Sequence, residues 1–160
     1  MMTPARKLGI FPAFHPVEGR FVVVVGDGEE AAAKVRLLAE TNATIEVYSV
    51  ELSDGLLNDL VAADARLHQH LPEAVDFEGA ALAFIATGAE TTDREIRTRA
   101  KAAGVPVNVV DRPELCDFHT PAIVNRAPLA VAIGTNGVAP VLARHVRARP
   151  PVSPPARQPR

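Results

Sequence analysis

Three small residues directly after an apolar run have the spacing of a phosphate-binding turn. Gly26, Gly28 and Ala31 match the dinucleotide-binding fingerprint G-x-G-x-x-G/A. In that fingerprint the first glycine permits a tight turn, the second lets the backbone approach a pyrophosphate, and the third position allows close helix packing. The N–H groups at the start of the following helix would hold the phosphates. The spacing therefore predicts a dinucleotide site, with a purely structural turn as the alternative.

Acidic residues near this turn bear on which dinucleotide would bind. An acidic residue that binds the ribose is expected at the end of the second strand, where this sequence has Tyr48 and Ser49. Glu51, slightly farther along, is the candidate substitute. Glu29 and Glu30 open the first helix, where negative charge suits the helix dipole and disfavours an additional 2′-phosphate. The pattern favours NAD over NADP.

Asp111 is the candidate proton acceptor. It follows a predicted buried strand at 105–110, and ligands of doubly wound sheets bind beyond the carboxyl ends of the strands. A carboxylate at that edge can act as a base beside a bound nicotinamide. The alternative role is to cap the turn before Pro113.

Other chemically active side chains give weaker signals. His68 and His70 are spaced to share one face of a strand, but they lack a third ligand, so no metal site is predicted. His119 is expected to be a hydrogen-bonded structural residue. Cys116 has no nearby helper and is expected to be inert.

The elements that must position these residues alternate between strands and helices. Ser53 is expected to cap the second helix, and a capping box from Thr92 to Glu95 opens a third helix that Gly104 closes. Strands alternating with helices imply right-handed crossovers and a Rossmann-like, doubly wound parallel sheet of the α/β class. The predicted strands are 21–25, 43–48, 66–70, 81–86 and 105–110, and the first two helices are 29–40 and 53–63.

The pattern changes after Asp111. Two strands at 120–124 and 129–133, joined around 125–127, form a small β-rich segment, and a basic C-terminal helix follows at 140–149. We therefore expect a dinucleotide-binding domain over 1–112, a β-rich segment with a basic helix over 113–149, and a disordered proline- and arginine-rich tail over 150–160.

Composition excludes several functional classes. The 160 residues, 48% of them hydrophobic, suffice for one buried domain and a modest appendage. A single cysteine favours a cytoplasmic setting. The chain has no run of roughly 20 apolar residues, so no membrane partner is predicted. Aromatic residues make up 4% of the chain and no helix-turn-helix segment is recognisable, so no nucleic-acid partner is predicted either.

Charge is distributed unevenly along the chain. The first 117 residues contain 11 basic and 19 acidic residues, a net charge of −8, whereas six arginines and no acidic residue follow. A basic C-terminal part suits a polyanionic ligand. The alternative for the arginines beyond Pro150 is a solubilising tail.

Three stretches resemble a known family: VVGDGEEAAAKVRLL, NVVDRPELCDFHTPAIVNRAPLAVAIGTNG and VAPVLARHVR. They look like the precorrin-2 dehydrogenase and sirohydrochlorin ferrochelatase family, which occurs alone or as the N-terminal module of bacterial siroheme synthase. The resemblance extends over about residues 10–149. Family members continue into a helical subdomain that covers the tetrapyrrole cavity, whereas this sequence ends in a proline-rich tail.

The resemblance implies a homodimer that oxidises precorrin-2 to sirohydrochlorin with NAD, for siroheme or cobalamin synthesis. It also implies that 1–112 is the NAD-binding domain and that 113–149 serves dimerisation and tetrapyrrole binding. In bifunctional members the same cavity inserts ferrous iron, and cobalt is the other candidate metal substrate. Alternatives are a metal chelatase alone, or a catalytically silent NAD-binding sensor module. Asp111 matches the family's catalytic aspartate. The implied NAD contacts are Gly26, Gly28, Glu29, Glu30, Val50 and Glu51, and the candidate substrate contacts are Arg112, Arg126, Thr135 and Arg144.

Overall fold

The structure is a computed structural model that describes residues 7–134. These residues form two compact units, which are treated separately below. One unit is the continuous segment His15–His119. Within the described range, the other contains residues 7–14 and 120–134.

The larger unit is built on a five-stranded parallel sheet with the strand order β3-β2-β1-β4-β5. Three helices connect the strands, and this arrangement confirms the predicted doubly wound α/β fold. The strands are β1 (Phe21–Gly26), β2 (Thr44–Tyr48), β3 (Arg66–His68), β4 (Ala83–Ala86) and β5 (Val107–Val109). The helices are α1 (Gly28–Leu38), α2 (Asp54–Ala62) and α3 (Glu90–Ala102), with short 3-10 turns at Ala74–Phe77 and Pro113–Leu115.

The central strand β1 is covered on both faces. Val22 and Val24 pack on the side of α1 and α2, while Val23 and Val25 pack on the side of α3. Successive side chains of a strand point to opposite faces, so an unbroken valine run buries both faces at once. This burial fixes the position at which the chain leaves the sheet at Gly26.

The start of α3 differs from the prediction. The helix begins at Glu90, so Thr92 is inside its first turn and does not cap it. The reason is the buried Asp93 carboxylate, which accepts hydrogen bonds from the Thr87 hydroxyl at 2.6 Å and from the Thr87 N–H at 3.3 Å. The predicted cap of α2 is confirmed, because the Ser53 side chain accepts a hydrogen bond from the Leu56 N–H.

The smaller unit contains an antiparallel hairpin of β6 (Ala122–Arg126) and β7 (Leu129–Ile133). Two strands were predicted here, but the predicted turn at 125–127 was wrong. Arg126 is still paired with Leu129, so the connection is the dipeptide Ala127–Pro128. The Asn125 side chain accepts a hydrogen bond from the Ala127 N–H at 3.1 Å, which stabilises the tighter connection.

Several predictions lie outside the described residues: the basic helix at 140–149, the tail at 150–160, Thr135 and Arg144. Within residues 7–134, the structure has no helix with the length and apolar character that crossing a membrane requires. The domain division at residue 112 stays a prediction.

Candidate functional site

The glycine turn between β1 and α1 has two glycines that are required for different reasons. Gly26 has a φ of +128°, and a β-carbon there would lie 2.2 Å from the backbone oxygen of Ala86 at the end of β4. Gly28 has a φ of +74°, but a β-carbon there would meet no heavy atom within 4 Å. Gly26 is therefore fixed by the neighbouring strand, and the space beside Gly28 is open to a ligand.

The third position of the fingerprint is filled by Ala31, a residue of α1 whose side chain is fully buried in the core. Its small side chain allows the helix to lie close to the sheet. Asp27 occupies the N-cap position of α1, but its side chain makes no capping hydrogen bond to that helix. The first N–H groups of α1 therefore remain suited to an anionic ligand.

The Asp27 side chain turns towards the loop that follows β2. Its Oδ1 atom accepts hydrogen bonds from the Ser53 N–H and the Ser53 hydroxyl, both at 2.9 Å. Burial by itself would raise the pKa of Asp27, but hydrogen bonds to its carboxylate, chiefly from the Ser53 N–H, outweigh the effect of burial and lower the pKa. Sequence analysis did not single out Asp27, because a contact between residues 26 apart leaves no local pattern.

The loop after β2 carries the predicted contacts Val50 and Glu51. The buried Ser49 hydroxyl donates to the Glu51 carbonyl oxygen at 2.5 Å, which holds the loop in a tight bend. Val50 is 63% exposed, and Glu51 is also exposed. An exposed large apolar side chain at this edge of the sheet is available for contact with a ligand.

The two glutamates that open α1 differ in their surroundings. Glu29 forms an ion pair with Arg36, one of whose Nη atoms also lies 2.6 Å from Asp59 of α2. Glu30 is exposed. The Glu29–Arg36–Asp59 bridge joins α1 to α2 on the surface of the unit, where salt bridges contribute little stability.

Asp111 lies just beyond β5, at the carboxyl edge of the sheet. It is exposed and has a φ of +60°, one of two non-glycine residues with positive φ in the described range. An aspartate in the left-handed region is uncommon, and such residues cluster at functional sites. The parallel order of the strands puts Asp111 at the same edge as the glycine turn.

Arg112 is engaged by carboxylates of α3. Its Nε atom donates to Asp93 Oδ2 at 3.1 Å, and its Nη1 atom lies 3.3 Å from Glu90 Oε2. The Asp93 side chain is only 2% exposed. The predicted substrate contact Arg112 is therefore anchored within the protein, beside Asp111.

The remaining predicted contacts lie outside the larger unit, His15–His119. Arg126 belongs to the smaller unit, where it is exposed and its Nη1 atom donates to the Asn125 carbonyl oxygen at 2.9 Å. Thr135 and Arg144 are outside the described residues.

His68, His70 and Cys116 are held by structural contacts, whereas the exposed His119 makes no side-chain hydrogen bond to the residues that the structure describes, contrary to the prediction. His68 lies 2.8 Å from Glu46 and stacks on Tyr48, with ring centroids 4.4 Å apart. Burial is the main cause that raises the pKa of Tyr48 to about 12, with smaller contributions from Asp76 and Glu46. Burial likewise raises the pKa of the Cys116 thiol, which disfavours the nucleophilic thiolate.

Comparison with known proteins finds relatives that are similar to most of this chain. The chain is 44% identical over 138 residues to a siroheme synthase of Ectopseudomonas mendocina, covering 86% of this chain and 29% of that protein. It is 42% identical over 138 residues to the siroheme synthase of Methylobacillus flagellatus, covering 86% of this chain and 30% of that protein. The chain thus spans about 30% of the length of these curated relatives.

A solved structure described as "SirC, precorrin-2 dehydrogenase" has the same fold, with a TM-score of 0.74 at 21% identity. The match covers 87% of this chain and 68% of that one. Residues 13–122 also match the model of a family described as "Putative NAD(P)-binding", and this range includes the whole glycine turn and Asp111. Because the match takes in most of the sequence, the chain belongs to this NAD(P)-binding family.

Proposed function

We propose that this chain is an NAD-dependent dehydrogenase that oxidises precorrin-2 to sirohydrochlorin in siroheme or cobalamin synthesis. Two kinds of evidence support the proposal: the siroheme synthases that match most of its length, and the fold it shares with a precorrin-2 dehydrogenase. The observation that carries it is Asp111, an exposed carboxylate in a strained conformation at the edge that holds the glycine turn. Cytoplasmic localisation is part of the proposal, with the free thiol of Cys116 as its support.

The residues at the carboxyl edge fit a dinucleotide. Gly28 leaves open space beside the start of α1, where N–H groups attract phosphates. When bound, the nicotinamide supplies the hydride acceptor of the reaction. The proposed contacts with NAD are Gly26, Gly28, Glu29, Glu30, Val50 and Glu51, all in the two loops that follow β1 and β2 or in the first turn of α1.

Asp111 would accept the proton that leaves when precorrin-2 is oxidised. The reaction removes two hydrogens from the macrocycle, one as hydride and one as a proton, so a base is required on the protein side. The Asp111 carboxylate is exposed, so a bound substrate can reach it. Metal insertion also releases protons, from two pyrrole nitrogens, and the same carboxylate would accept them if the chain is bifunctional.

Precorrin-2 is a polyanion, which suits arginine contacts. We propose Arg112, Arg126 and Arg144 as carboxylate partners and Thr135 as a hydroxyl contact. For Arg112, two protein carboxylates already neutralise much of the charge, so its remaining donors would orient the substrate more than attract it.

The decisive experiment follows sirohydrochlorin absorbance when the purified chain is mixed with precorrin-2 and NAD. Sirohydrochlorin formation that requires NAD supports the dehydrogenase, and no product under any condition refutes it. A separate reaction with sirohydrochlorin and ferrous iron or cobalt, without NAD, tests chelation. Metal insertion without oxidation would favour the chelatase alternative.

A further inference from the structure

The loop after β2 lacks an acidic side chain at the point where a ribose would need one. β2 ends at Tyr48, which is buried on the α3 side of the sheet, and the next residue is the buried Ser49. Neither side chain is a carboxylate. Many NAD-binding sheets place an aspartate or glutamate at this strand end to bind the ribose hydroxyls.

Asp27 brings a carboxylate to this loop from the neighbouring turn. It occupies the variable position between the two glycines, and both Ser53 hydrogen bonds connect it to the last residue of the loop after β2. Both bonds end on Oδ1, so the second oxygen, Oδ2, is not used by Ser53. The carboxylate is held in place, and it lies between the starts of α1 and α2.

From this geometry we infer that Asp27 is the specificity-determining residue that accepts the adenosine ribose hydroxyls of NAD and repels the 2′-phosphate of NADP. The inference rests on the proposed dinucleotide site. Its physical basis is that a fixed carboxylate accepts a hydrogen bond from a ribose hydroxyl but repels the negative charge of a phosphate. The low pKa of Asp27 agrees with this, because it keeps the carboxylate charged at neutral pH.

The test measures the affinities of the whole chain for NAD⁺ and NADP⁺ by titration calorimetry. Asp27→Asn removes the charge while preserving the loop contact, because the amide keeps an Oδ1 acceptor for Ser53. We expect the ratio of the NADP⁺ to the NAD⁺ dissociation constant to fall by about tenfold or more. Asp54→Asn is the matched control, because Asp54 directly follows Ser53 and loses the same charge.

Glu51→Gln tests the competing site. An unchanged ratio in Asp27→Asn overturns the inference, and so does a shift of equal size in Asp54→Asn, which would indicate only a general charge effect. A shift in Glu51→Gln without one in Asp27→Asn assigns the ribose to Glu51 instead. Wild-type chain that binds NAD⁺ normally keeps the proposed function intact in each of these cases, whereas failure to bind either dinucleotide would refute the site as a whole.

Discussion

The guanidinium of Arg112 is fixed to the buried carboxylate of Asp93, with Nε 3.1 Å from Oδ2. Arg112 directly follows Asp111, so this ion pair ties the strained turn after β5 to the first part of α3. Asp93 also holds Thr87 at the end of β4. One buried carboxylate thus connects two strand ends of the candidate site.

We expect Asp93→Ala to lower the free energy of unfolding by about 3 kcal/mol, because it leaves a partly buried arginine without its partner. Glu90→Ala is the control: Glu90 also pairs with Arg112, but its side chain is 53% exposed, so the expected loss is below about 1 kcal/mol. Urea denaturation measures both. Equal losses in the two variants would contradict a special role for the buried carboxylate.

The glycine turn gives a second pair of matched variants. Gly26→Ala is expected to destabilise the protein by about 3 kcal/mol or more, because its β-carbon would overlap the Ala86 carbonyl oxygen and the backbone must move. The β-carbon of Gly28→Ala meets no protein atom, so this variant should lose only about 1 to 2 kcal/mol of stability for its positive φ, yet it would narrow the space proposed for the pyrophosphate. Thermal denaturation separates the two effects on stability, and calorimetry with NAD⁺ should show weaker binding in Gly28→Ala. Unchanged NAD⁺ affinity in that variant would count against the phosphate site.

The fold was predictable because its signals are local. Three of these signals lie within a few residues of one another: the valine run of β1, the glycine turn and the helical spacing after it. A strand that is buried on both faces is typical of a parallel sheet covered by helices. The start of α3 was missed because a buried contact between Asp93 and Thr87 overrides the local capping pattern. The hairpin turn was misplaced because cross-strand pairing reaches Arg126.

The candidate site was predictable only in part. Gly26, Gly28 and Asp111 can be found from strand ends and spacing, since carboxyl ends of parallel strands meet at one edge. Pairings over long sequence distances cannot be found this way. The Asp27–Ser53 contact and the anchoring of Arg112 by Asp93 both depend on how loops meet above the sheet.

Tyr48 gives a pH-dependent prediction, and it is the only tyrosine of the chain. Its folded-state pKa of about 12 exceeds the ordinary value of 10, so its contribution to stability is complete below pH 10 and disappears as the pH rises through 12. We expect the tyrosinate absorbance of the folded protein to appear near pH 12 and that of the urea-unfolded protein near pH 10. Tyr48→Phe should remove the tyrosinate absorbance. Between pH 10 and pH 12 its free energy of unfolding should fall less than that of the wild type. Coincident titration curves would show that the ring is not buried as described.

Homodimerisation through residues 118–135 stays a prediction with a direct test. The β6–β7 hairpin is rich in apolar residues that are only partly covered: Leu129 is 44% exposed and Ile123, Val131 and Ile133 are half-buried, whereas Val124 is buried. Exposed apolar strands of this kind favour pairing with another copy. Sedimentation at micromolar concentration should report about twice the 17.0 kDa chain mass. Leu129→Asp should shift the equilibrium towards monomer, and a monomeric wild-type chain would refute the prediction.

The functional proposal depends most on Asp111, and two substitutions separate its carboxylate from its backbone. Asp111→Asn keeps the size of the side chain, and asparagine also tolerates positive φ, so fold and NAD affinity should be retained. Precorrin-2 oxidation should fall by about 10²- to 10⁴-fold, because an amide cannot accept the proton.

Asp111→Gly is the matched variant, because glycine adopts a φ of +60° without strain and should leave stability unchanged or slightly higher. If the carboxylate is the base, this variant loses as much activity as Asp111→Asn despite its relaxed backbone. If precorrin-2 oxidation depends on the strained turn and not on the carboxylate, Asp111→Asn remains active and only Asp111→Gly loses activity. Should chelation occur, it is expected to fall in both variants, since one carboxylate would accept the protons of both reactions. If chelation persists while oxidation is lost, a different base accepts the protons of chelation, and the dehydrogenase assignment still stands.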